Sequence, residues 1–239
     1  MKDPNFTDPL DCNDAAPYKE RQDFMEAVKE GDLEKVRATV AIYPQAVEWA
    51  TDSAYTAVQR AIYCCKPAIL EFLLENGASI NRRGLHGTPL IHAVHSHDRQ
   101  AVKWLLEQGA DAALKNPEGE TALMWAILNQ MIDLIPVFVK AAPVTLNLPD
   151  NDGNTPLSRA AEWGYDEEAR VLLKHGARPD TRNNAGETPA ELAKRHGHDG
   201  IAGVITGTIA EIARTVHDGL ETPLTIHRKP LQLKKGLSL

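Results

Sequence analysis

Small and apolar residues recur along the chain at a nearly constant interval. A Thr followed by two small or apolar residues occurs at Thr56, Thr88, Thr121, Thr155 and Thr188, at intervals of 32, 33, 34 and 33 residues. An Ala follows each Thr by five residues, and Leu-Leu-x-x-Gly-Ala lies further on in three copies. A period of this length indicates a stack of units, each burying its apolar face against its neighbours.

The order of residues within one unit predicts two short helices. Thr is a favoured N-cap, and the Pro that follows it in three copies suits the first helical turn. The Leu pair belongs to the second helix, and the Gly after it (Gly77, Gly109 and Gly176) is typical of a left-handed C-terminus. Asn, Asp and Gly then turn the chain into the next unit. The predicted fold is therefore all-α.

These markers, in phase five times, resemble the ankyrin repeat over residues 23 to about 205. The resemblance implies a solenoid of about six stacked helix-turn-helix units with capping repeats, of the short, soluble kind common in bacteria. The expected parts are a flexible N-terminal segment (1–22), an ankyrin-repeat domain (23–205) with a cap (23–50) and repeats starting near 51, 83, 116, 150 and 183, a capping helix (199–218) that continues the last repeat, and a basic tail (219–239).

The sequence departs from the family pattern at one position of the first helix. The family usually has His directly after Thr-Pro-Leu, where it connects neighbouring repeats. The residues at this position are Gln59, Ile91, Met124, Ser158 and Glu191. The network is therefore expected to be absent or rebuilt.

A second departure lies at the turn between the two helices, where the family prefers Gly. From the cap to the last unit, the turn residues are Gly31, Cys65, His97, Gln130, Gly164 and Gly197. A non-Gly residue in a left-handed turn costs roughly 1 kcal/mol. Pro136 also falls inside a predicted helix of the third repeat. We expect repeats one to three to be less ideal than the others.

Charge and composition narrow the classes of partner. The net charge is −7, distributed as −8 on residues 23–218, +3 on the tail and −2 on residues 1–22. An acidic body is not expected to bind nucleic acid or anionic lipid, and no apolar run approaches the ~18 residues of a membrane helix. The basic tail has three possible fates: docking on the acidic body, docking on a partner, or no fixed structure.

Cellular location is suggested by the cysteines and the N-terminus. Cys12, Cys64 and Cys65 form no Cys-x-x-Cys pair, which favours a reducing compartment. The first residues contain no apolar run of the kind that signal peptides require. We expect a cytoplasmic protein, with secretion as an effector by a signal-free route as the alternative.

In ankyrin stacks the first helices and the loop tips line a concave groove that contacts partners. Trp, Tyr and Arg are frequent at interface hot spots, and a line of Tyr63, Trp125 and Trp163 flanked by Arg60 and Arg159 is the sharpest feature here. The alternative is that these aromatic side chains only pack between helices. The predicted partner-binding residues are Arg60, Tyr63, His92, His95, Ser96, Trp125, Asn129, Arg159, Glu162 and Trp163 on the helices, and Arg82, Arg83, Lys115, Asn116, Asp150, Asn151, Arg182 and Asn183 at the tips.

Three patterns suggest other chemistry, and none is complete. His92, His95 and His97 would supply too few ligands for a structural zinc site, which uses four. Asp150-Asn151-Asp152-Gly153 resembles half of a calcium loop but lacks the later ligands. No partner groups specify Cys64 or Cys65 as a nucleophile. We therefore expect no catalytic residues, no metal and no cofactor.

The predicted function is a non-enzymatic interaction module that binds a protein partner through the groove and inhibits or scaffolds it. A bacterial effector or an immunity-type antagonist would use the same surface. A thiol- or metal-dependent enzyme is the alternative from another class. We expect a monomer, with a homodimer formed through the C-terminal helix as a further alternative.

Overall fold

The computed structural model describes residues 18–51, 55–84 and 87–217. Residues 1–17 and the predicted basic tail (219–239) lie outside the described residues. The first helix spans Tyr18–Glu30, and its first buried side chain is Phe24.

Twelve α-helices make up the described part of the chain. They are α1 (Tyr18–Glu30), α2 (Leu33–Ile42), α3 (Ala57–Tyr63), α4 (Pro67–Glu75), α5 (Pro89–His95), α6 (Arg99–Glu107), α7 (Ala122–Leu128), α8 (Ile135–Ala141), α9 (Pro156–Trp163), α10 (Asp166–Lys174), α11 (Pro189–Arg195) and α12 (Asp199–His217). Short 3-10 helices span Pro44–Glu48, Ile132–Leu134 and Pro143–Asn147.

The helices form six antiparallel pairs that stack in two layers. The inner layer contains α1, α3, α5, α7, α9 and α11, each packed on the next, and the outer layer contains their partners. The core lies between the layers. All five Ala markers are buried completely, as are Leu73, Leu105 and Leu172 of the Leu pairs. The prediction of an all-α solenoid of about six units is confirmed.

Each Thr marker caps its helix as predicted. In all five, the Thr side chain accepts a hydrogen bond from the backbone N–H three residues later. The last helix spans Asp199–His217, and Ile201 and Ile205 are buried at its start.

The turns between the paired helices all take the same left-handed route. Cys65, His97 and Gln130 have φ values of 52°, 56° and 53°, which confirms that three non-Gly residues occupy a conformation that favours Gly. The expectation for Pro136 was wrong. A 3-10 turn, Ile132–Leu134, comes first and α8 begins at Ile135, so Pro136 lies in the first helical turn, where its missing N–H costs nothing.

The contact made by His in related repeats is rebuilt once. Gln59 Nε2 donates to the carbonyl of Gly87 in the next unit at 2.9 Å. The Gln59 Oε1 atom also accepts from the Thr56 backbone N–H at 3.1 Å and completes a capping box. At the equivalent places, Ile91 and Met124 are buried apolar side chains that cannot form such bonds.

Candidate partner-binding surface

The inner face is the surface formed by residues four, seven and eight positions after the cap Thr of α3, α5, α7 and α9. These positions share one side of a helix, and they hold all ten helix residues predicted to contact a partner. Tyr63, at 67% exposure, and His95 are exposed. The others are half-buried, except His92. The structure therefore brings the ten residues onto one side of the stack.

An aromatic strip of Tyr55, Tyr63, His92, His95 and Trp125 crosses repeats one to three on this face. The His92 ring lies 5.3 Å from Tyr55 and 6.0 Å from Tyr63. The His95 ring meets Trp125 edge-on at 5.2 Å. Rings that hold each other in place lose little conformational entropy when a partner binds.

The burial of His92 corrects its predicted role. Its side chain is only 2% exposed, because it fills the space between two tyrosines of the preceding repeat. His92 therefore supports Tyr55 and Tyr63 and does not itself offer a contact surface.

Arg159 lies at the centre of a network with Asp150, Asp152 and Glu162. Its Nη2 atom is 2.6 Å from Asp150 Oδ2 and 3.2 Å from Asp152 Oδ2, and its Nη1 atom is 2.8 Å from Glu162 Oε2. Partial burial by itself lowers the pKa of Arg159, but the hydrogen bonds and charges of Glu162 and Asp150 outweigh it and raise the pKa above its usual value. Three carboxylates around one guanidinium leave this region net negative.

The same guanidinium contacts the aromatic side chain that ends the inner face. Arg159 Cζ lies 5.8 Å from the Trp163 ring centroid, a cation–π distance. Trp163 in turn lies 5.9 Å from Tyr165. Arg159 therefore holds Trp163 and the loop carboxylates in place.

Three of the predicted tip residues connect one tip to the next. Lys115 Nζ donates to the Pro149 carbonyl at 2.6 Å, and Asn151 Nδ2 donates to the Pro117 carbonyl at 2.9 Å. Asn183 Nδ2 donates to Asn154 Oδ1 at 3.0 Å. These contacts hold the tips in register.

The two predicted arginines that bracket the row of tips are engaged in ion pairs. Arg82 lies 3.3 Å from Glu48, and Arg182 lies 3.2 Å from Glu191 and also donates to the Gly186 carbonyl. Arg83, also predicted, is half-buried. A partner would meet these side chains already ordered.

Asn116 and Asp150 are corrections to the predicted contact set, since they are only 7% and 6% exposed. Asn116 Oδ1 accepts from the Glu120 N–H at 2.7 Å. Asp150 Oδ1 accepts from the N–H groups of Asp152 and Asn154, both at 2.9 Å. Both side chains build the turn of their own tip, and the other Asp150 oxygen is paired with Arg159.

Sequence reasoning missed Tyr55, Tyr165 and Asp152. Tyr55 directly precedes the Thr56 cap and Tyr165 directly follows the Gly164 turn, so both lie beside the helix positions that phase reasoning selected. Asp152 is the exposed member of the Arg159 network, at 76%. Their proximity to the markers was the available signal.

Residues 18–51, 55–84 and 87–217 do not form a metal site from the histidines or acidic residues singled out in the sequence. No group of three or more His, Cys, Asp or Glu side chains in these ranges is placed to hold a metal ion. His92 and His95 pack on different aromatic rings. Cys64 is half-buried and Cys65 is exposed, and both are free thiols. Nor does any helix in the described ranges have the length and apolar character to cross a membrane.

A fold of stacked helix pairs with an accessible row of inner helices defines a repeat scaffold. A family model described as ankyrin repeats (three copies) matches residues 24–116 and 90–183. The chain belongs to the ankyrin-repeat family, whose repeats are protein–protein interaction modules.

Curated relatives and solved structures agree with this assignment. The ankyrin repeat protein YahD of Escherichia coli (strain K12) is 25% identical over 187 residues, which is 75% of this chain and 92% of YahD. Human ankyrin repeat domain-containing protein 63 is 33% identical over 128 residues, 50% of this chain and 33% of that protein.

Two solved structures share the fold. An ankyrin repeat domain from Acinetobacter baumannii AYE has a TM-score of 0.67 and 23% identity, over 78% of this chain and 97% of that chain. A chain in the complex of a predatory endopeptidase from Bdellovibrio bacteriovorus with an immunity protein has a TM-score of 0.65 and 24% identity, over 77% and 96%.

Proposed function

We propose that this protein binds a protein partner through the inner face and the adjoining tips, and that binding inhibits the partner. The observation that carries the proposal is the combination of accessible Tyr63, His95 and Trp163 with neighbours that already hold them in place. Preordered aromatic side chains provide binding energy at a low entropic cost. The partner binds to a preordered surface, and the protein does not catalyse a reaction of the partner.

The narrower form of the proposal is an immunity-type antagonist of an enzyme. It is motivated by the solved complex of an endopeptidase with an immunity protein, because one of its chains has this fold. We further propose that the protein acts as a cytoplasmic monomer. Light scattering at two concentrations and cell fractionation test these two points.

The main test replaces Tyr63 and Trp163 with Ala together and measures what the purified protein retains from its native lysate. Tyr63→Ala with Trp163→Ala removes two ring contacts without opening the buried core, so circular dichroism should be unchanged. We expect loss of the specifically retained protein. Trp104→Ala is the matched control, because Trp104 is also half-buried but lies on the outer helix α6.

The antagonist form is then tested on the retained protein. If that protein is an enzyme, addition of the wild-type chain should reduce its activity, and the double variant should not. Unchanged capture by the folded double variant would reject the inner face as the site. If the wild-type chain captures an enzyme without reducing its activity, the antagonist form is rejected and a scaffolding role remains.

A further inference from the structure

An open groove runs between the outer helices of repeats one and two, on the opposite side from the inner face. α4 and α6 each pack on their inner partners, yet they make little direct contact with each other. Two hollows of about 450 Å³ and 410 Å³ lie between them. Both are bordered by Glu71 and Trp104, so they form one continuous outer groove.

The outer groove is apolar at its base and acidic along one side. Leu70, Leu74 and Ala101 contribute apolar surface, with the Trp104 ring facing them from α6. Glu71 and Glu75 lie along the α4 side, where Lys66 at the start of the helix is the one basic lining residue in the described part of the chain, and Asp98 lies at the α6 side. Neither Glu71 nor Glu75 has an ion-pair partner among residues 18–51, 55–84 and 87–217, which differs from the Arg159 network of the inner face, where the acids share a guanidinium.

The sequence of this chain contains a segment with the complementary chemistry. Within 224–239, Leu and Ile residues come in pairs two positions apart, and four basic residues lie between these pairs. The apolar residues are Leu224, Ile226, Leu231, Leu233, Leu237 and Leu239, and the basic ones are Arg228, Lys229, Lys234 and Lys235. Residues two apart lie on the same side of an extended chain, so such a segment could present Leu to the groove and Lys to its acidic side.

We propose that residues 219–239 bind in the outer groove of the same molecule. The reach is sufficient. The outer helices between α12 and α6 are spaced by 8–10 Å each, which places α6 about 30 Å from α12. The 22 residues after His217 span up to about 70 Å when extended. A tether of this kind gives an effective concentration on the order of millimolar, so weak contacts suffice.

The test uses the full chain with all four tryptophans replaced by fluorotryptophan. A spin label is attached at Ser238→Cys, in a background in which Cys12, Cys64 and Cys65 are Ser. We expect the fluorine signal of Trp104 to lose more than half of its intensity, and the signal of Trp163 to lose much less. Trp104→Phe and Trp163→Phe assign the two signals.

Charge-reversal variants then distinguish binding in the outer groove from non-specific attraction between the basic segment and the acidic body. Glu71→Lys with Glu75→Lys should restore the Trp104 signal at least about twofold, as should reversal of the four basic residues to Glu. Glu118→Lys with Glu167→Lys is the matched control, with the same change in charge at exposed sites outside the groove, and should leave the effect in place.

Three outcomes would overturn the proposal. One is an undiminished Trp104 signal in the labelled chain, and another is a stronger effect on Trp163, which would place the segment on the inner face. The third is equal loss of signal when spin-labelled chains without fluorine are mixed with fluorinated, unlabelled chains, because the groove would then be occupied by a second copy. The inference concerns the outer face, so its failure leaves the proposed function intact.

Discussion

The turns of repeats one to three and the turn of repeat four follow the same backbone route with different residues. Cys65 and its counterparts His97 and Gln130 have φ values of 52–56°, and Gly164 has a φ of 79°. The turns also close in the same way, since Lys66 N–H donates to Ala61 and Tyr165 N–H to Ala160. The packing of the paired helices therefore imposes the turn, and in repeats one to three the backbone of a non-Gly residue is strained to adopt it.

The loop tips of repeats two and four also differ. In repeat four Asp150, five residues before the cap Thr, accepts two backbone N–H groups and pairs with Arg159. In repeat two the residue five before Thr88 is Arg83, and a guanidinium cannot accept a hydrogen bond. Repeat four therefore has Gly at its left-handed turn and a tip closed by side-chain hydrogen bonds. Four predictions test these differences.

The largest effect is expected from Asp150→Ala. The Asp150 side chain is 1% exposed, and its removal leaves two backbone N–H groups without their acceptor and takes from Arg159 its most buried carboxylate. We expect the free energy of unfolding to fall by about 3 kcal/mol, measured by urea denaturation. Asp152→Ala removes an exposed carboxylate from the same guanidinium and should cost less than about 0.5 kcal/mol. Equal losses in the two variants would show that the buried carboxylate is not what holds the tip.

The second prediction concerns the left-handed turn at Gly164. A Cβ on Gly164 would lie 2.7 Å from Cε1 of His198 in the next unit, in addition to the strain at φ 79°. Gly164→Ala should therefore destabilise by roughly 2–3 kcal/mol.

Gly197→Ala separates the two contributions of that turn. Gly197 has a φ of 80° but no atom within 4 Å of the added Cβ, so Gly197→Ala should cost only about 1 kcal/mol. Similar losses at both positions would mean that His198 moves away freely and that only backbone strain matters.

The third prediction concerns the three non-Gly turns of repeats one to three, which have positive φ values. Gly at one of the three strained turns removes 1–2 kcal/mol of strain but costs 0.5–1 kcal/mol of chain entropy, for a net gain of about 0.5–1 kcal/mol. The triple variant Cys65→Gly, His97→Gly and Gln130→Gly should thus be about 2 kcal/mol more stable. Ser96→Gly, at a φ of −78° beside His97, should instead lose stability. No gain in the triple variant would mean that the side chains make contacts that offset the strain.

Local signals predicted most of the fold. The Thr caps, the buried Ala markers and the left-handed turns depend on residues close in sequence, so the repeat pattern was enough to place them. The 3-10 turn before Pro136 had no such signal.

The site was less predictable because it depends on contacts between units. Phase reasoning placed His92 on the inner face, but only the positions of Tyr55 and Tyr63 show that it is buried. In the same way, the engagement of Arg159 follows from Asp150 nine residues earlier, which folds back across the tip. The period of the sequence predicts which side of a helix a residue occupies. The exposure of that residue depends on neighbouring residues in other segments.

The last and smallest effect compares two capping boxes, Gln59 in repeat one and Glu191 in the last unit. Hydrogen bonds from the Thr188 backbone and side chain, and the charge of Arg182, lower the pKa of Glu191. A depressed carboxylate pKa stabilises the folded state above the unfolded pKa, and this stabilisation is lost as the pH falls through the lower folded value. The window lies below the ordinary glutamate pKa of about 4.3. Relative to its intrinsic rate, exchange of the Thr188 amide, which donates to Glu191 Oε2, should therefore accelerate in that window. Exchange of the Thr56 amide, which donates to the uncharged Gln59, should show no such step. Glu191→Gln should remove the step and keep the cap, and a step that persists in this variant would assign it to another acid.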